Sequence, residues 1–143
     1  MNHDAYEDEY LAGILRAVKT IALVGASPKP VRPSHEVMEF LLNTGYRVIP
    51  VNPGQAGNRI LGQTVIASLA ELPGPVDMID IFRNSQAAGG VVDAALSLSC
   101  PPKVIWMQKG VRNDEAASRA EAAGVRVVMN RCPKIEIPRL GIV

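Results

Sequence analysis

Aromatic side chains are scarce in this sequence. One Trp, three Tyr and two Phe make up 4% of its 143 residues, against a hydrophobic fraction of 48%. Val, Ile, Leu and Ala must therefore fill the core, as they do in parallel sheets covered by helices on both faces. Cysteine is almost absent: Cys100 and Cys132 are the only two, and they lack metal-site spacing. A cytoplasmic protein with reduced thiols is the simplest expectation. Nothing resembles a Ser-His-Asp arrangement, a paired-carboxylate site or a metal cluster, so no catalytic and no metal-ligating residue is expected. The apolar runs are far shorter than the ~20 residues that span a bilayer. A formal net charge of +1 gives no global field to recruit nucleic acid or an anionic membrane. The first ten residues are acidic, unlike a signal or transit peptide. A single domain over 1–143 is expected, divided into an N-terminal helix (1–19), a core (20–132) and an extended tail (133–143).

What is present is alternation. Apolar residues recur at helical spacing over 4–18, with Tyr10, Ile14 and Val18 on one face. Short β-branched runs then alternate with helical segments. Strands are expected at 20–24, 47–51, 64–66, 76–82, 103–107 and 126–129. Helices are expected at 34–43, 85–97 and from Asn113 to Gly124, with a brief turn at 68–72. This pattern predicts an α/β fold, a doubly wound parallel sheet of about six strands in the order 3-2-1-4-5-6 with an extra N-terminal helix. Asp80, inside an apolar strand, stands out because a buried carboxylate needs partners.

The stretch Ile21-Ala-Leu-Val-Gly-Ala-Ser-Pro-Lys-Pro-Val-Arg-Pro-Ser34 organises the chain. A strand ends at Gly25, a proline-rich basic loop follows, and Ser34 is expected to cap a helix. Strand, glycine turn and helix N-terminus open a nucleotide-binding βαβ unit, where free N–H groups and the helix dipole suit a phosphate. Prolines donate no N–H, so Lys29 and Arg32 must supply part of the attraction. Ligands of such sheets sit beyond the carboxyl ends of the strands. Those ends hold five cations: Lys29, Arg32, Arg83, Lys109 and Arg131.

A dinucleotide is the default ligand of this fold, and the sequence resists it. The loop is not G-x-G-x-x-G, and Val51-Asn52-Pro53 stands where an acid would bind the ribose. No G-x-x-x-x-G-K-[ST] is present either. Taken in order, Gly25-Ala-Ser-Pro-Lys, Arg32-Pro-Ser34, Gly45-Tyr46, Val48-Ile-Pro-Val-Asn-Pro53, Asp80-Ile-Phe-Arg83, Val104-Ile-Trp-Met-Gln108 with Gly110, and Asn130-Arg-Cys132 resemble the stand-alone CoA-binding domain proteins. That family is related to the CoA-binding Rossmann domain of the succinyl-CoA synthetase α subunit. The resemblance covers residues 12–137.

The resemblance implies a Rossmann-like fold and a site for coenzyme A or an acyl-CoA. Gly25, Ala26, Ser27, Lys29, Arg32 and Ser34 would hold the phosphates. Val51, Asn52 and Pro53 would line the adenosine. Phe82, Arg83 and Asn84 would flank the pantetheine path, with Trp106, Gln108 and Gly110 further along it. In the synthetase domain a Lys follows the Pro-Gly after the second strand; here Gln55 stands nearby. Cys132, beside Arg131, is the remaining candidate, either as a thiolate near the ligand or as a small buried hydrophobe. The leading expectation is a CoA-binding module without catalysis of its own, with a small-molecule partner and no expected nucleic acid or membrane. The alternatives are an NADP-dependent oxidoreductase of the same fold and a thiol redox protein acting through Cys132.

Overall fold

The computed structural model describes residues 1–142. Five helices and seven strands follow in the order α1 (Asp8–Ala17), β1 (Thr20–Val24), α2 (Pro33–Thr44), β2 (Arg47–Val51), β3 (Arg59–Ile60), β4 (Gln63–Thr64), β5 (Met78–Ile81), α3 (Ser85–Leu96), β6 (Val104–Met107), α4 (Asp114–Ala122), β7 (Arg126–Val128) and α5 (Pro133–Arg139). Five strands form one parallel sheet in the order β2-β1-β5-β6-β7. Side chains alternate across it. Ile21, Leu23, Val48, Trp106 and Val128 join a core with α1, α2 and α5. Ala22, Val24, Ile79, Ile105 and Val127 join a second core with α3 and α4. The doubly wound architecture is as expected, and its switch point lies between β1 and β5.

Three expectations are corrected. The strand expected at 64–66 does not belong to the main sheet. Gln63–Thr64 pairs antiparallel with Arg59–Ile60, and only Ile66 reaches the sheet edge, as a single parallel bridge to Val51. The tight turn at Leu61 and Gly62, both at positive φ, folds this segment back on itself first. The tail expected to be extended forms α5 over Pro133–Arg139. Pro133 sits at the first helical position, where a missing N–H costs nothing. Arg139 clamps the helix through Glu136 at 2.7 Å and Asp8 at 2.9 Å. Val143, the end of that tail, lies outside the described residues. The N-terminal helix begins at Asp8 rather than near residue 4. Residues before it run along the open edge of β7, where Tyr6 Oη accepts the Met129 N–H at 2.8 Å.

Two carboxylates of β5 and its approach behave differently. Asp77 accepts the N–H groups of Lys19 and Thr20 at 2.9 and 3.2 Å, and so fastens the start of β1. Asp80 is fully buried, and neither of its oxygens has a hydrogen-bond partner. Burial holds its carboxyl well above the usual carboxylate range.

Gly25 terminates β1 with φ +94° and donates its N–H to Val51 at 2.9 Å. A Cβ there would lie 2.8 Å from the Phe82 carbonyl oxygen. Only glycine lets the β1–α2 loop pass the end of β5 this closely.

Gly25→Ala should cost about 1–2 kcal/mol in backbone conformation alone, with the clash in addition. Gly45 also has positive φ, but a Cβ there meets no atom within 4 Å. Chemical unfolding should therefore show Gly25→Ala losing clearly more stability than Gly45→Ala; equal losses would contradict the close approach.

Asp80 also makes a pH prediction. Its native carboxyl stays protonated where the unfolded one, near 3.8, has already ionised. Its contribution is fully present below that value and falls as pH rises toward the native value, at about 1.4 kcal/mol per pH unit. Asp80→Asn should gain stability relative to the parent protein as pH rises above about 4. A stability difference that stays flat from pH 4 to 7 would count against an uncharged Asp80.

Candidate functional site

The carboxyl ends of β1, β2 and β5 surround a cleft of about 390 Å³, lined by Gly25–Lys29, Arg32–Ser34, Asn52, Gln55 and Phe82. Its wall is the N-terminus of α2. Arg32, rather than the expected Ser34, occupies the N-cap position, and no side chain caps the helix. His35 and Glu36 turn their N–H groups back to the Arg32 carbonyl at 3.0 and 3.2 Å. Pro33 has no N–H, so the Ser34 N–H is left at the open helix end. Among the described residues, Lys29 and Arg32 take part in no ion pair, whereas Glu36 is engaged by Lys134 at 3.8 Å. Two free cations, a free helix N–H and a positive dipole end therefore converge on one cleft. Such a cleft is built for an anion.

The loop that carries these groups is held from both sides. Gly25 and Ala26 donate N–H groups to the Val51 carbonyl at 2.9 and 3.3 Å. Ser27 Oγ accepts the Lys29 N–H at 3.2 Å. Asn52 donates through Nδ2 to Ala26 O at 2.7 Å and accepts the Gly54 N–H at 2.9 Å. Asn52 thus lines the cleft with both polar atoms bonded to backbone. That matters for ligand choice, because no carboxylate stands at the end of β2 to take a ribose 2′-hydroxyl.

On the opposite face of the sheet, a second hollow of about 290 Å³ opens beside the first. Val24, Val51, Pro53, Leu69, Ala87 and Val91 give it apolar walls, and Arg83 reaches its edge. Asn84 is engaged as the N-cap of α3, accepting the Ala87 N–H at 2.8 Å. Sequence reasoning singled out Gly89-Gly90 in α3, with close packing on the sheet or approach to a ligand as the reason, and Gly90 lines this hollow. The small residues Ala87 to Gly90 leave room there.

The more distant expected residues separate into core and edge. Trp106 is fully buried, and its Nε1–H donates to Arg131 O at 2.9 Å. It supports the β7–α5 loop from below and forms no cleft wall. Cys132 is buried in the same core, at the N-cap of α5. Gly110 is exposed and donates its N–H to Asn130 Oδ1 at 2.7 Å, which ties the loops after β6 and β7 together. Gln108 is buried at the end of β6, with its Oε1 unpartnered. The cationic rim is smaller than its sequence count. The Arg131 guanidinium stacks over the Tyr6 ring at 4.9 Å and donates to Asn130 O at 2.8 Å.

Known proteins resemble most of this chain in sequence or in structure. The Bacillus subtilis (strain 168) protein YneT is 38% identical over 122 residues, spanning 85% of this chain and 87% of its own. A Thermus thermophilus protein of known structure is 39% identical, with a TM-score of 0.88 over 94% of this chain and 99% of its own. A Pyrococcus horikoshii OT3 protein is 38% identical, with a TM-score of 0.88 over 98% of this chain and 96% of its own. The dinucleotide-forming acetyl-coenzyme A synthetase 1 of Ca. Korarchaeum cryptofilum shares the fold in a part of its chain. It is 23% identical, with a TM-score of 0.66 over 82% of this chain and 27% of that one. Residues 19–138 match the CoA binding domain family, and the chain is a member of that family.

Proposed function

We propose that the protein binds coenzyme A, or an acyl-CoA, across the carboxyl edge of the sheet as a module without chemistry of its own. The observation that carries this reading is the pair of unpaired cations, Lys29 and Arg32, beside the open N-terminus of α2. Membership of the CoA-binding domain family supports the same ligand. The diphosphate would lie against Ser27, Lys29, Arg32 and the Ser34 N–H. Gly25 supports it indirectly, because only glycine lets the loop pass the Phe82 backbone and bring these groups to the cleft. The adenine ring would occupy the apolar hollow between Pro53 and Val91. The pantetheine arm would then run past Phe82 toward Gln108 and Gly110.

The dinucleotide alternative meets a β2 end with no acid and an Asn52 whose polar atoms are engaged. The thiol alternative meets a Cys132 buried at 8% exposure in an apolar core. No helix among the described residues is long and apolar enough to cross a membrane, in keeping with a proposed cytosolic site of action.

Calorimetry on Lys29→Ala and Arg32→Ala tests the phosphate contacts. Each lost charge-assisted hydrogen bond should weaken CoA binding by about tenfold or more. A loss shared by CoA and dephospho-CoA assigns the residue to the diphosphate, and a loss confined to CoA assigns it to the 3′-phosphate. Unchanged affinity for both ligands in both variants would remove these cations from the site.

A further inference from the structure

Asp80 and Gln108 are buried polar residues that the phosphate cleft does not use. Asp80 is 0% exposed and Gln108 6%, and three of their oxygens are sealed from solvent without a partner: Asp80 Oδ1, Asp80 Oδ2 and Gln108 Oε1. Native interiors seldom leave such atoms unpaired, and a cluster of them asks for a reason beyond packing. The register brings them together. Asp80 stands opposite Trp106 across the β5–β6 pair. Gln108 follows two residues later on the same face, and its N–H still donates to Ile81 O at 3.1 Å, so the ladder runs one residue past β6. Strands lie about 4.8 Å apart and rise about 3.3 Å per residue, so positions two residues offset on these parallel strands are about 8 Å apart, within reach of a long side chain.

The two groups are chemically complementary. An uncharged carboxyl carries an O–H donor, which is what Gln108 Oε1 lacks. Burial favours that uncharged form. No hydrogen bond joins the two side chains in this structure; joining them would take a rotation of the Gln108 side chain. With Oε1 held inward, the amide has only its N–H₂ group left for the cleft edge. Gln108 ends the strand two positions from β1 in the sheet. It therefore lies about 10 Å from the phosphate loop, a span that the arm of CoA covers.

We propose that Asp80 is a positioning residue that turns the Gln108 amide, so that its N–H₂ group donates to a carbonyl oxygen in the arm of the ligand. The inference rests on the CoA reading above. It assigns this end of the site a preference for amide- or thioester-bearing arms, separate from the recognition of phosphate.

The test compares CoA with adenosine 3′,5′-bisphosphate, which has the nucleotide and no arm, by calorimetry. Gln108→Leu should weaken CoA binding about fivefold and leave the bisphosphate unchanged. Asp80→Asn, whose amide still supplies a donor, should keep CoA affinity within about twofold. Asp80→Leu should lose as much CoA affinity as Gln108→Leu, and Asp80→Ala, smaller and equally without a donor, gives the same reading if Asp80→Leu does not fold; parental CoA affinity in a folded variant of either kind would overturn the positioning role. Unchanged CoA binding in Gln108→Leu, or equal losses for both ligands, would overturn the proposal, as would an Asp80→Asn as weak as Gln108→Leu. A parent protein that binds the bisphosphate as tightly as CoA overturns the arm contact alone. One that binds neither overturns the CoA reading and this inference with it.

Discussion

The ligand edge depends on one steric constraint: the backbone at Gly25 passes the Phe82 carbonyl at a distance no side chain can share. That approach lets the β1–α2 loop cross the end of β5 instead of arching above it. The loop is then pinned through Val51 O and Asn52 to the end of β2. Pro28, Pro30 and Pro33 stiffen what lies between, so ordering the loop around a ligand costs little entropy. Three strand ends are thus drawn around one cleft, and the start of α2 faces into it.

Electrostatics then selects among ligands that this geometry would admit. The chain has almost no net charge, yet Lys29 and Arg32 stand together without carboxylate partners beside a helix N-terminus. Two other cations near the edge are committed to structure. Arg131 is stacked on Tyr6, and Arg112 is shared between Asp4 and Asp114. Lys29 and Arg32 stand where a phosphate can use both the dipole and the side chains. The absence of an acid at the end of β2 removes the feature that dinucleotide sites use for ribose.

Much of this was legible in the sequence because period and punctuation agree. The bounds of β1 and β2 follow from β-branched runs closed by Gly25 and by Asn52-Pro53, and the α4 start follows from Asn113 as N-cap. What was not legible arose from tertiary context. Prolines at 133 and 138 read as an extended tail, but packing of Ile137 and the Arg139 ion pairs make a helix there. The third strand failed because a local hairpin outcompeted one more pairing at the sheet edge. Within the site, residue type identified position better than role. Asn52 and Asn84 are where a ligand edge needs them, but Asn52 bonds backbone through both polar atoms and Asn84 through its Oδ1. Trp106 supports a loop from the core. Asp80 was conspicuous from sequence as a carboxylate in an apolar strand, and the structure keeps it conspicuous.

The most direct measurement is calorimetric titration of ligand-free protein with CoA, with NADPH and NAD run in parallel. CoA should bind at micromolar concentration, with no response to either dinucleotide. Dinucleotide binding with CoA silent would contradict the CoA reading: the cleft would then serve hydride chemistry, and the free cations at Lys29 and Arg32 would have been assigned to the wrong phosphates.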